Sequence, residues 1–289
     1  MTAAGIVESR LALVGPGRAG RAFARSWRAA GGRLTWVMAR DRTESAPIEA
    51  DAVFSADVPR LPPCDVAVLA VPDDAIVRVA AALSDRLETR CAFHVSGALG
   101  HEALAGLRPG AAALGSLHPV RPFTGTESED WRGAFVTIEG DAEAADTGEA
   151  IVRAVGARPY RLSTPDRSLY HAAATLAAGG TAAVVSTAVR GWVAAGIPES
   201  IARETLAGLA SQAASAVAAV TTRTFAEAFT GAIARREAGT LRRHLAALAP
   251  HPEALALYRA LAEETLRRTA GAGREEEMRE ILRRENATS

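Results

Sequence analysis

Lysine is absent from this chain of 289 residues, so all 33 of its basic side chains are arginines. Without lysine, no reaction step here can use a lysine side chain as a general acid or as a Schiff-base former. Only two cysteines are present, Cys64 and Cys91, and each lies beside an apolar run. Two thiols exclude a disulfide framework and a cysteine-based zinc site, so we expect buried core cysteines and no metal.

Net charge is also absent, because 33 basic residues balance 33 acidic ones. A neutral chain has no overall electrostatic attraction to nucleic acid or to an anionic membrane, so neither is expected as a partner. The first ten residues lack a basic segment followed by an apolar one. That absence predicts no signal peptide and a cytoplasmic protein.

Charge is missing again from residues 168–189, a stretch that is long enough to span a bilayer. It consists largely of Ala, Gly, Thr and Ser, which are weak membrane formers, and it contains a histidine and a tyrosine. The composition therefore favours a buried, closely packed helix over a membrane span.

The first half of the chain alternates between strand-like and helix-like segments. The predicted strands are Leu11–Val14, Leu34–Ala39, Asp65–Val71, Ala92–Val95, Ala113–Leu117 and Ala134–Ile138. Helical spacing covers Arg18–Ala30 and Asp74–Leu83. Such alternation predicts an α/β Rossmann domain with a mostly parallel sheet.

Helical periodicity alone continues beyond the predicted domain boundary, which gives domains of residues 1–163 and 164–289. The predicted helices are Asp166–Ala195, Glu199–Val220, Phe225–Arg235, Gly239–Leu248 and Pro252–Thr269. The charged tail, residues 271–289, is expected to be an exposed and partly frayed helix. We therefore expect an all-α second domain, whose uncharged, alanine-rich helices favour a homodimer.

A glycine-rich segment, Gly15-Pro16-Gly17-Arg18-Ala19-Gly20, has the pattern G-x-G-x-x-G. It follows an apolar strand at once and opens a helix, which is the context of a dinucleotide-binding fingerprint. The first glycine allows a tight turn, the second a close approach of the pyrophosphate, and the third close helix packing. A turn of this kind presents free N–H groups and a positive helix end to phosphates.

The segment after the second strand predicts the choice of cofactor. Arg40 and Arg42 lie where an NAD-binding domain usually carries an acid, and guanidinium groups suit the 2′-phosphate of NADP(H). Asp41 leaves the alternative of a ribose acceptor, and thus NAD(H), open. Residues Ala70, Val71 and Pro72 end the third strand and are expected beside the nicotinamide ribose, because ligands bind at the carboxyl ends of parallel strands.

Three side chains are the candidates for catalysis. His118 precedes Pro119 at a predicted strand end and, near its ordinary pKa of about 6.5, could act as an acid or hold an anion. His171 opens the long helix, and Ser96 lies near His94 on a strand that ends in glycine. Each has a structural alternative: a strand cap, a core histidine and a turn serine.

Several motifs together resemble a family of Rossmann-like proteins with a C-terminal helical domain of unknown function. They are the fingerprint, Leu69–Asp73, His94–Gly97, Gly115–Pro119, Tyr170–Ala174, and Thr230-Gly231 with Thr240 and His244. The superfamily includes pyrroline-5-carboxylate reductase, ketopantoate reductase, prephenate dehydrogenase and 6-phosphogluconate dehydrogenase. The resemblance implies a helical domain of the 6-phosphogluconate dehydrogenase type, a homodimer, and a small-molecule substrate held between the domains.

Two functions remain open at this point. The first is an NADP-dependent oxidoreductase that reduces a small, acidic carbonyl or imine substrate, such as the 2-keto acid ketopantoate. The second is a non-catalytic NADP(H)-binding regulator or sensor. The missing lysine and the pair Gly179-Gly180, where similar helices carry Ser-Asn, favour the second function. The histidines His118 and His171 favour the first.

Overall fold

The computed structural model describes residues 3–40, 48–126, 128–164, 166–221, 225–270 and 273–284. Its strands are β1 Leu11–Val14, β2 Leu34–Ala39, β3 Ala52–Ser55, β4 Cys64–Leu69, β5 Thr89–His94, β6 Ala111–Pro119, β7 Phe135–Gly140 and β8 Arg158–Arg161. Its α-helices are α1 Ala3–Ile6, α2 Arg18–Ala29, α3 Asp73–Leu83, α4 Ala142–Ala154, α5 Arg167–Thr175, α6 Thr181–Ala194, α7 Glu199–Ala219, α8 Ala238–Leu248, α9 Pro252–Arg268 and α10 Glu275–Arg284. Two compact units result, Met1–Ala178 and Gly179–Ser289. The predicted boundary after residue 163 precedes α5, whereas the first unit includes α5.

The first unit contains one sheet of eight strands in the order β3-β2-β1-β4-β5-β6-β7-β8. Strands β1 to β6 are parallel, β7 is antiparallel to β6, and β8 is parallel to β7. The predicted Rossmann fold with a mostly parallel sheet is therefore confirmed. The carboxyl ends of β1, β4, β5 and β6 lie along one edge, where ligands of such sheets bind.

Apolar side chains cover both faces of this sheet, which explains why its central strands are continuously apolar. On β1, Leu11 and Leu13 face one core and Ala12 and Val14 face the other. The first core contains Phe23, Trp27 and Trp131 from outside the sheet, all fully buried. Because both faces of the sheet are buried, its strands are held in place, and so are the residues at their carboxyl ends.

A continuous helix, Arg167–Ala194, joins the two units and contains a π-helical turn at Leu176–Gly180. By length and composition it could cross a membrane, with a mean hydropathy of 1.5, but only 6% of its most apolar window is buried. The prediction of a closely packed, buried helix is wrong for the single chain. In its second half only Val189 is buried, because α6 packs against α7 along one stripe.

The second unit is helical, and two of its segments correct the sequence analysis. The predicted helix Phe225–Arg235 is only a short 3₁₀ helix, Phe225–Ala228, followed by turns in which Gly231 adopts a left-handed φ of 92°. The tail is not simply exposed. Helix α10 buries Met278, Ile281 and Leu282 in a core with α8 and α9, and these residues have the i, i+3, i+4 spacing of a buried helix face.

Candidate active site

The glycine turn between β1 and α2 fits tightly against the end of β4. Gly15 has a φ of 90°, and a β-carbon at this position would lie 2.7 Å from both the carbonyl oxygen of Ala70 and a methyl of Val71. At Gly20 a β-carbon would lie 2.4 Å from the Gly15 carbonyl oxygen. Both glycines are therefore required by the fold of the turn itself. Ala70 and Val71 serve here as packing partners of the turn.

Gly17 differs from these two glycines, because none of the described residues crowds it. Among them, a β-carbon there would meet only the Ala70 carbonyl oxygen, at 3.8 Å. Gly17 is also the N-cap of α2, and no side chain caps this helix end. The first N–H groups of a helix have no partners within the helix, so this open end is suited to a phosphate.

The remaining predicted cofactor residues surround this turn. Arg18 begins α2 and is exposed, and Pro72 is the N-cap of α3, directly beyond β4. Arg40 is exposed and follows β2 at once, so it lies at the same sheet edge. Arg42 lies outside the described residues.

A loop that sequence analysis did not identify, described at residues 120–126 and 128–134, packs against the second half of α2. The Arg25 guanidinium donates to the carbonyl oxygens of Glu129 and Thr126, at 2.7 and 3.1 Å. The backbone N–H of Trp131 donates to the Ser26 hydroxyl at 2.6 Å. These contacts fix the chain between β6 and β7 to the fingerprint helix.

His118 and His171 come together at the carboxyl end of β6. Their ring centroids are 5.6 Å apart and nearly perpendicular. Gly97 makes this possible, because a β-carbon there would lie 2.6 Å from His118 Cε1 and from His171 Cδ2. The prediction placed both histidines at a site from segments far apart in the chain, and the fold brings them into contact.

Tyr170 is the residue that sequence analysis missed as a site residue. Its hydroxyl lies 2.7 Å from His118 Nδ1 and 3.1 Å from Thr137 Oγ1. The signal was its position beside His171 in the motif Tyr170–Ala174, but nothing in the sequence paired it with His118.

Ser96 occupies a turn after β5. Its hydroxyl oxygen accepts hydrogen bonds from the backbone N–H groups of Ala98 and Leu99, at 3.1 and 3.2 Å. Its own N–H donates to His94 Nδ1 at 3.1 Å, so His94 carries its proton on Nε2 and donates it to the Gly100 carbonyl oxygen. This geometry is that of a turn serine, although its hydroxyl can still donate one hydrogen bond. Its catalytic role stays a prediction.

A partly buried ion pair connects the start of α5 to the sheet. Arg167 Nη1 lies 2.8 Å from Glu139, and Arg167 Nη2 donates to the Ser96 carbonyl oxygen at 3.3 Å. Glu139 also contacts His101. Together with Glu102, these two residues form the one cluster in the described part of the chain whose side chains could hold a metal ion. Since Arg167 occupies one oxygen of Glu139, we interpret this cluster as an ion-pair network that holds α5 in place.

The histidine chemistry differs from the sequence expectation. Burial first, and then the neighbouring His171 and Arg167, lower the pKa of His118 to about 4. The expectation of a pKa near 6.5 is therefore wrong, because it could not include desolvation or charges from a distant segment. Burial likewise lowers the pKa of His94. At neutral pH both rings are uncharged, so His118 can donate or accept a hydrogen bond but cannot act as an imidazolium acid.

Comparison with solved structures finds several proteins with a similar fold over most of the chain. A protein from Bacteroides fragilis assigned as an NADP oxidoreductase, BF3122, is 19% identical, with a TM-score of 0.75 over 91% of this chain and 100% of that one. Protein TM1727 from Thermotoga maritima is 18% identical, with a TM-score of 0.61 over 96% and 99%. Pyrroline carboxylate reductase from Plasmodium falciparum, determined with NADP bound, is 11% identical, with a TM-score of 0.59 over 91% and 99%.

At these identities the similarities establish the fold alone. No curated protein matches the chain by sequence. A family model described as "Domain of unknown function (DUF2520)" matches residues 134–265, which include the last strands of the sheet and most of the helices.

Proposed function

We propose that this chain is an NADP(H)-dependent oxidoreductase that reduces a small, acidic carbonyl or imine compound beside His118 and His171. The observation that carries the proposal is the open helix end at Gly17, on the same sheet edge as the two histidines. Strands β1 and β6 are three positions apart, so about 14 Å separate the turn from His118. Two solved structures with a similar fold support NADP(H) as the cofactor: the NADP oxidoreductase from Bacteroides fragilis and the pyrroline carboxylate reductase determined with NADP bound.

Each part of the site has a role in this proposal. The N–H groups after Gly17 bind the pyrophosphate, and Arg40 with Arg42 binds the 2′-phosphate. NADPH, when bound, supplies a hydride to the substrate carbon. His118 holds the substrate oxygen or nitrogen, as a neutral imidazole can. The positive charge of Arg167, which disfavours protonation of His118, favours a substrate that carries a carboxylate. A 2-keto acid such as ketopantoate has this chemistry.

Arg40→Ala is expected to weaken NADPH binding at least tenfold and to leave NADH binding within about twofold, because only NADPH carries the 2′-phosphate. Fluorescence titration with both nucleotides measures this difference. Arg33→Ala is the matched control: Arg33 is an exposed arginine at the start of the same strand, paired with Asp51. Equal losses for NADPH and NADH in Arg40→Ala would contradict the assignment.

The catalytic proposal is tested by NADPH consumption across a panel of keto acids and imino acids. We expect turnover with at least one acidic member, and a loss of about 100-fold or more in kcat for His118→Gln with NADPH binding retained. Tight NADPH binding without turnover of any substrate would instead support the NADP(H) sensor. That alternative is favoured by the absence of lysine from the chain.

We further propose a homodimer through the second unit. Helix α7 buries only Ala202 and Leu206 among its 21 residues, while Ile201, Leu209 and Val217 are exposed. An exposed helix face with several large apolar side chains is typical of a protein–protein interface. Light scattering should give twice the chain mass of 30.0 kDa, and Leu209→Glu should shift the mass toward that of the monomer. A wild-type mass of one chain at micromolar concentration would reject the dimer.

A further inference from the structure

The Tyr170 hydroxyl occupies the inner side of the His118 ring. It lies 2.7 Å from Nδ1 and 3.1 Å from the Thr137 hydroxyl, and Thr137 is the residue paired with His118 across β6 and β7. The opposite side of the ring, with Nε2, lies against Gly97, where a β-carbon would be 2.7 Å from Nε2. Nδ1 of His118 is thus hydrogen-bonded to the Tyr170 hydroxyl, and Nε2 lies near Gly97 and His171.

The position of Tyr170 is fixed independently of His118. Asp166 caps the start of α5, with its carboxylate accepting from the Leu169 N–H at 2.8 Å. Arg167 ties the same turn to Glu139 on β7. The cap and the ion pair hold the first turn of α5 against the sheet, and this fixes the position of Tyr170. The contact between Tyr170 and His118 therefore follows from the packing of α5.

The chemistry of the two groups sets the direction of the hydrogen bond. A phenol, with a pKa of about 10, is a far stronger acid than the N–H of a neutral imidazole, and an imidazole nitrogen is a better acceptor than a phenol oxygen. Tyr170 therefore donates to Nδ1, and the Thr137 hydroxyl donates to the Tyr170 oxygen. The proton of neutral His118 is left on Nε2.

We propose that Tyr170 is a positioning residue that holds His118 as the Nε2–H tautomer and replaces the proton that His118 gives to the substrate. This inference rests on the proposed function. As the substrate oxygen or nitrogen takes the Nε2 proton, the Tyr170 proton passes to Nδ1, so His118 stays neutral throughout. The negative charge moves to the Tyr170 oxygen, which accepts from Thr137, and a proton from water restores the phenol.

The proton transfer from Tyr170 explains how an uncharged His118 can act as a proton donor. A neutral imidazole cannot give up a proton alone without becoming an anion, and His118 is neutral because burial lowers its pKa. The charged or titratable groups that act on it are His171 and Arg167 from α5, Asp73 at the start of α3, and His94 at the end of β5. Asp73 alone among them favours an imidazolium, with a smaller effect than His171 or Arg167. The replacement proton therefore has to come from a neutral donor such as the phenol.

The test is nitrogen NMR of the histidine rings in the full chain without cofactor, with the His118 signals assigned by their loss in His118→Gln. At neutral pH we expect the Nε2–H tautomer. Tyr170→Phe removes a hydrogen bond that only the neutral form of His118 can accept at Nδ1. Because this loss destabilises the neutral form, the His118 pKa should rise by about 0.5 to 1. Thr137→Val, which keeps the phenol, should cause a smaller rise. Tyr160→Phe, at an exposed tyrosine of β8, is the matched control and should cause none.

An Nδ1–H tautomer in the wild type, or a His118 pKa that falls or stays unchanged in Tyr170→Phe, would overturn the inference. NADPH titration separates this result from failure of the proposed function. Tyr170→Phe should bind NADPH as the wild type does and lose about tenfold in kcat with KM nearly unchanged, on a substrate found active. A wild-type chain that binds no NADPH would overturn the reductase, and the relay that rests on it, whatever the tautomer.

Discussion

Gly17→Ala is expected to weaken NADPH binding at least tenfold, a loss of about 1.4 kcal/mol or more, while the protein stays folded. The new methyl group makes only an ordinary contact with Ala70 inside the protein. It therefore acts almost entirely on the ligand, by occupying the space where a pyrophosphate would meet the helix end. Thermal unfolding should change little, since a poorer N-cap and a less flexible unfolded chain have opposite effects of below about 1 kcal/mol.

Gly20→Ala provides the contrast for this prediction. Its β-carbon would lie 2.4 Å from a backbone oxygen that cannot move freely, so this variant should lose thermal stability as well as NADPH binding. Gly191→Ala in α6, where a β-carbon meets no described atom within 4 Å, is the control for the substitution itself. If Gly17→Ala binds NADPH as tightly as the wild type, the cofactor does not use this helix end.

Gly97→Ala is expected to lower turnover about 100-fold and to leave NADPH affinity within about twofold. Its β-carbon would lie 2.6 to 2.7 Å from the rings of His118 and His171, so both rings have to move. Displacing a catalytic group by about 1 Å costs on the order of 100-fold in rate. Gly97 follows β5, two strands away from β1 and the glycine turn, and no atom of the turn is among the groups that its new β-carbon would meet, so we expect cofactor binding to be retained.

The measurement for Gly97→Ala is kcat on a substrate identified with the wild type, together with the ring nitrogen shifts of both histidines. Gly191→Ala on α6, whose β-carbon would have open space, controls for the loss of a glycine. Full turnover in Gly97→Ala, with shifted histidine signals, would show that the two rings are not part of the reaction.

Local patterns in the sequence were sufficient for much of the fold. Strand β2 and the fingerprint turn were predicted because their signals lie within a few neighbouring residues. The reversal at β7 was not predicted, although residues 120–134 contain no helical pattern and parallel strands need a long crossover, usually a helix. The buried face of α10 was hidden by its many charged residues, which lie on the other side of the helix.

The candidate site was predictable in its residues but not in its chemistry. His118 and His171 were each singled out from motifs, yet their contact depends on the packing of α5 against the sheet. The lowered pKa of His118 arises from burial and from Arg167, which is distant in sequence. The hydroxyl pair of Tyr170 and Thr137 likewise depends on register, through the pairing of Thr137 with His118 across two antiparallel strands.

The proposed oxidoreductase requires, above all, a dinucleotide bound at the open end of α2. Fluorescence titration of the wild-type chain with NADPH tests this most directly. We predict saturable binding at micromolar concentration that is at least tenfold tighter than binding of NADH. A flat titration with NADPH, from protein shown to be folded, would contradict the account at its centre.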